Sequence, residues 1–146
     1  MPSHPAYLPA MDSSLHGPTL ARVVTAARAG SIEHAAALFR AGGFDRRADD
    51  PAALAVAGRL AKDRALRLPV AERQRALADA AATYARAYAL DPQPYTRINA
   101  ATLTLLSGDA ETGRAMAQGL LDWLDSGEAF AEIGRASCRE RVSNCV

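Results

Sequence analysis

The chain has 146 residues, 49% of them hydrophobic and 23% charged, with a formal net charge of +1. That is about one domain's worth of sequence with the balance of a folded protein, and the near-neutral charge removes the electrostatic case for a nucleic-acid or acidic-membrane partner. Roughly a quarter alanine and only 5% aromatic, the chain lacks the bulk of a β-sandwich core and favours helices. No apolar run reaches the ~18 residues that span a bilayer. The first eighteen residues lack the basic start and apolar stretch of a secretory signal, so a cytoplasmic location is expected.

In chain order, residues 1–17 hold Pro2, Pro5, Pro9 and Gly17 among scattered serines and read as a disordered leader. A helical domain is expected over 18–126. Its first helix, 19–29, ends at Gly30, and Ser31 is placed to cap a second that runs to Gly42-Gly43, with Glu33 in its first turn. Asp50-Pro51 opens a third helix to about residue 66. Pro69 restarts the chain into the longest helix, 70–90, which Asp91-Pro92-Gln93-Pro94 stops. A fifth helix follows over 95–106, then Ser107-Gly108, then Asp109 capping a sixth to residue 125. The chain therefore reads as all-α, with three helical hairpins. In the fourth helix Leu77, Ala80, Ala81, Tyr84, Ala87 and Tyr88 form one stripe. The fifth, with Ile98, Ala100, Ala101, Leu103, Leu105 and Leu106, is apolar most of the way round and should be covered on several sides.

The hairpins share a register. When the turns Gly30-Ser31 and Gly108-Asp109 are aligned, Ala35 and Phe39 in the first hairpin correspond to Gly113 and Ala117 in the third. In the middle hairpin the series is Ala80, Tyr84, Ala87 and Pro92, a small–aromatic–small series ending in proline. This pattern resembles the tetratricopeptide repeat (TPR), although the middle hairpin carries about ten extra residues around 62–73. The resemblance implies a short TPR-like solenoid. A narrower likeness is carried by Tyr95, Ile98, Asn99, Ala101, Thr102, Leu103 and Gly108, after a long helix ending Tyr-Ala-Leu-Asp-Pro. This segment resembles the TRAFs-binding region of apoptosis signal-regulating kinases and its bacterial relatives. Relatives of that kind are helical arrays acting in protein interaction or regulation, which implies a scaffold and not kinase chemistry.

The tail, 127–146, reads as non-native or disordered. Its eleven residues from Glu132 to Val142 resemble a translated sequencing adapter, which implies that the chain is the N-terminal fragment of a longer bacterial protein, truncated at the C-terminus. Both cysteines, Cys138 and Cys145, lie in or just past that string and carry no weight for redox or metal chemistry. Residues 132–146 hold three arginines and two glutamates; without them the seventeen basic and sixteen acidic residues become fourteen of each.

Sites for chemistry are sparse. His4, His16 and His34 form no metal-binding pair, Ser13, Ser14, Ser31, Ser107 and Ser126 fall in turns and caps without an adjacent base, and no nucleophile elbow occurs. Asp49-Asp50 reads as a helix start, and the glycines cradle no phosphate. No metal, no cofactor and no enzymatic activity is expected. Arg46-Arg47 and the group Arg59, Lys62, Arg64, Arg67, Arg73 and Arg75 read as a solvated basic face without interleaved aromatics.

In repeat arrays the first helix of each hairpin lines the inner groove. On the fifth helix that makes Tyr95, Arg97, Asn99 and Thr102 the candidate partner-binding residues, with Asn99 able to hold a neighbouring turn instead. The expected function is a protein-interaction scaffold that takes a protein or peptide partner. The alternative is a regulatory helical domain of an enzyme, a cyclase or protease-like effector, encoded beyond the break. The sixth helix should expose Leu120, Leu121, Trp123 and Leu124 and let the fragment self-associate, with Trp123 reserved for a following repeat.

Overall fold

The computed structural model describes residues 17–127, so the expected leader and the adapter-like tail lie outside them, apart from Gly17 and Gly127 at the edges. Among the described residues the chain is all-helical: α1 (Leu20–Arg28), α2 (Ile32–Ala41), a 3-10 turn at Phe44–Arg46, α3 (Pro51–Ala65), α4 (Val70–Leu90), α5 (Pro94–Leu106) and α6 (Ala110–Asp125). Each helix packs along its successor within the hairpins α1/α2, α3/α4 and α5/α6. The α4–α5 contact between the second and third hairpins is more extensive than the contact within the first or the third hairpin, whereas α3 meets α1 and α2 over a narrower surface.

Local chemistry explains the boundaries. Thr19 caps α1 by accepting from the Arg22 N–H at 3.3 Å, and Asp50 caps α3 by accepting from the N–H groups of Ala52 and Ala53 at 3.0 and 3.2 Å. Asp109 does the same for α6, accepting from Thr112 N–H at 3.0 Å. Ser31 occupies the N-cap of α2, but its hydroxyl makes no capping hydrogen bond. The hairpin turns at Gly30 and Gly108 have φ of 80° and 103°, a left-handed conformation that side chains with a Cβ resist.

Two cores result. Val23, Ala27, Ala35, Phe39, Phe44, Ala53 and Leu60 bury one another around the first hairpin. Ala65, Leu77, Ala80, Ala81, Tyr84, Ala100 and Leu103 form the second. The repeat register is visible in packing: Ala35, Ala80 and Gly113, at equivalent hairpin positions, are all buried. A Cβ at Gly113 would lie 2.9 Å from the Leu105 backbone nitrogen, so the α5–α6 approach needs a residue this small.

The expectation that α5 is covered on several sides is corrected. It packs against α4 and α6, burying Thr96, Ala100, Ala101 and Leu103, but Ile98 and Leu106 are exposed and Leu105, whose side chain lies against Gly113 of α6, remains partly so. On α6, Leu121 and Leu124 are exposed and Leu120 and Trp123 half-buried. No described helix is long and apolar enough to cross a membrane.

Candidate functional site

The first helices of the three hairpins meet at a cleft of about 220 Å³ lined by Val24 and Arg28 of α1, Ala55, Val56 and Arg59 of α3, and Tyr95 of α5. Helical spacing puts these residues there. Ala55, Val56 and Arg59 follow one another within a turn, beside the buried Gly58 that faces α4. A Cβ at Gly58 would stand 2.9 Å from the Tyr84 ring, so the glycine lets α3 and α4 close around Tyr84. Tyr84 is fully buried, and its ring meets that of Tyr95 edge-on, with centroids 5.9 Å apart and planes at 78°. The two hydroxyls are 3.3 Å apart and share a hydrogen bond. Burial, and then the neighbouring Tyr95 hydroxyl, push the Tyr84 phenol well above its ordinary range.

Arg59 is the charged group of this wall. Its Nε lies 3.6 Å from Asp63 Oδ2, an ion pair too long for a hydrogen bond, and that nitrogen is buried without a hydrogen-bond partner. Arg28, exposed at the opposite lip, has no hydrogen bond or ion pair among the described residues.

Tyr95, Asn99 and Thr102 share one stripe of α5, at four- and three-residue steps, and Tyr95 is half-exposed in the cleft. Asn99 donates through Nδ2 to the Tyr95 carbonyl at 2.8 Å, so the turn it holds belongs to its own helix. Thr102 is exposed. Arg97 points elsewhere: its Nη1 donates to the Tyr88 hydroxyl at 3.2 Å, its guanidinium lies over the Tyr88 ring, and Gly119 of α6 leaves it room. Trp123 lies at the same corner, bordering a hollow of about 30 Å³ with Tyr88, Pro92 and Pro94.

The basic group does not behave as one solvated face. Arg64 donates to both carboxylate oxygens of Glu33, at 3.2 and 2.8 Å, and Arg67 to the Gly30 carbonyl at 3.0 Å. Arg73 donates twice to the Leu68 carbonyl, and Arg47 sits over the Phe44 ring. Four of the eight, Arg47, Arg64, Arg67 and Arg73, stitch turns and helices, and of this group Arg59 alone lines the cleft. His34 is exposed, and among the described residues no group of three or more histidines, cysteines or carboxylates could hold a metal.

The family model described as "Tetratricopeptide Repeats-Sensor" matches residues 15–104. The chain belongs to that family. The match covers α1 and α3 in full and α5 as far as residue 104, and so includes every residue that lines the cleft. No curated protein and no solved structure matches the chain. In this TPR-sensor chain the sequence reading missed Val24, Arg28, Val56 and Arg59 as groove residues. The inner-helix rule, applied to α5, holds equally for α1 and α3 and would have singled them out.

Proposed function

We propose that the protein is a non-catalytic recognition and sensing module whose binding surface is the cleft and the adjoining stripe of α5. The observation that carries this reading is the convergence of α1, α3 and α5 on one cleft, where preformed helices meet a partner at low ordering cost. Tyr95, Asn99 and Thr102 would contact the partner, while Arg97, held against Tyr88, would keep α5 in place on α4. A photo-crosslinking amino acid placed at Thr102 should capture a protein or peptide partner from cells, and one at Arg40, exposed on α2, should not. Equal capture from both positions would refute the assignment of the surface.

Leu121 and Leu124, one turn apart on α6, present an exposed apolar surface. This surface supports self-association of the chain, or contact with an effector domain that the module would regulate. In sedimentation velocity the chain should populate dimers or larger species, and Leu121→Glu should return it to a monomer.

A further inference from the structure

The apolar wall of the cleft stands partly open next to the start of α1. Arg59 is paired with Asp63 at 3.6 Å, so the surface left to cover is that of Val24, Ala55, Val56 and Tyr95. These residues gather near the starts of their helices. Val24 is the fifth residue of α1, Ala55 and Val56 the fifth and sixth of α3, and Tyr95 the second of α5. Residues 1–16 join α1 at that same end, through Gly17, Pro18 and the capping Thr19. Residues 1–14 also precede the family match and so stand outside the repeat array. We infer that this N-terminal segment is the resident occupant of the cleft. It turns back at Gly17-Pro18, and Leu8 and Met11 cover Val24, Ala55, Val56 and Tyr95.

Reach and chemistry both fit. Val24 lies five residues beyond Thr19, about 7.5 Å along the helix at ~1.5 Å per residue. Met11 stands six residues before Gly17, enough for about 20 Å of extended chain at ~3.3 Å per residue. The segment holds Tyr7, Leu8, Met11 and Leu15 against one acidic residue, Asp12, and no lysine or arginine. Pro9 favours the polyproline II helix for itself and for Leu8 before it, and the three-residue turn of that helix sets Leu8 and Met11 on one side. The cleft volume of about 220 Å³ falls below the roughly 300–1,000 Å³ of small-molecule pockets and suits side chains of an extended segment. A tether this short gives an effective concentration on the order of millimolar, so weak contacts are enough to fill the cleft. On the reading of the cleft as the binding surface, an outside partner must displace residues 1–16, which sets a threshold for recognition.

The test is NMR on the full chain, with leucine, valine and methionine methyl groups labelled with ¹³C and the backbone with ¹⁵N. Nuclear Overhauser contacts should join the methyls of Leu8 and Met11 to those of Val24 and Val56, and should persist on tenfold dilution. The double variant Leu8→Ser, Met11→Ser should lose these contacts and shift the amides of Val24, Val56 and Tyr95. Its melting temperature should change little, because neither residue belongs to the two cores. A synthetic peptide of residues 5–15, added to that variant at millimolar concentration, should restore the wild-type shifts. Capture of a partner by crosslinking from Thr102 should rise at least threefold in the variant. Absent contacts with unshifted amides would overturn the proposal. So would contacts that fade on dilution, since those come from the segment of a second copy. Contacts present with unchanged capture from Thr102 would keep residues 1–16 in the cleft and overturn the cleft as the partner's surface. Contacts absent with capture intact would do the reverse.

Discussion

Around the first hairpin, Phe39 and Phe44 supply the bulk, their ring centroids 5.7 Å apart, and polar stitches complete the junction with the second hairpin. Around the second and third hairpins, alanines and Gly58 bring helices close about a single buried tyrosine, Tyr84. Helix α3 belongs to both, giving Ala53 and Leu60 to one core and Ala65 to the other. The stitches at the first junction are Arg64 to Glu33, Arg67 to the Gly30 carbonyl and Arg86 to the Ala48 carbonyl, all at the surface. The two junctions therefore respond to different perturbations. The second depends on shape, because dispersion and apolar burial fail quickly when helices separate. The first also depends on charge, and exposed ion pairs weaken with salt and acid.

The largest effect should come from emptying the second core. Tyr84→Ala removes the ring between α3, α4 and α5 and should cost about 3–5 kcal/mol, read as a lower denaturant midpoint. Overpacking the same contact is smaller. Gly58→Ala sets a methyl 2.9 Å from the Tyr84 ring and should cost about 1–3 kcal/mol, with chemical-shift changes at Tyr84 and Tyr95.

Alkali tests the same core through its phenol. Burial raises the folded-state pKa of Tyr84 above the unfolded value of ~10. The folded state then holds its proton longer, so stability is intact below that pH and falls by about 1.4 kcal/mol per pH unit above it. Tyr84→Phe should flatten this alkaline limb in denaturant titrations from pH 9 to 12.

The smallest effect belongs to the first junction. Hydrogen bonds from Arg64, and then its charge, hold Glu33 below the usual carboxylate range. A depressed folded pKa means a contribution present above the ordinary carboxylate range and lost as the pH falls through the lowered value. An NMR titration of the Glu33 side chain should show its midpoint rising toward the ordinary value in Arg64→Gln, with little change in melting temperature. A midpoint that does not move would show that the Arg64 contact is not maintained in solution.

All six helices were legible in the residues because their signals are local: capping Asp50 and Asp109, prolines at Pro51 and Pro94, and glycines at Gly30 and Gly108. The stripe of α4 was nearly as legible: Leu77, Ala80, Ala81, Tyr84 and Ala87 recur with the helical period and are buried, while Tyr88, the sixth residue expected there, is half-buried. Phe44 was not legible. It lies in the loop between hairpins, where no periodicity marks a core residue, and it is buried because the 3-10 turn folds it against Gly42 and Phe39.

The candidate site divides along the same line. Sequence alone grouped Tyr95, Arg97, Asn99 and Thr102 on α5, although helical pitch puts Arg97 off the face that the other three share. It did not show that Tyr95 would meet Arg59 and Arg28 in one cleft, or that Arg97 would turn to Tyr88. Those outcomes depend on how α1, α3 and α5 are set against one another. That setting is determined by packing between residues far apart in the chain, the Gly58–Tyr84 contact foremost, which neither the helical period nor a local cap encodes.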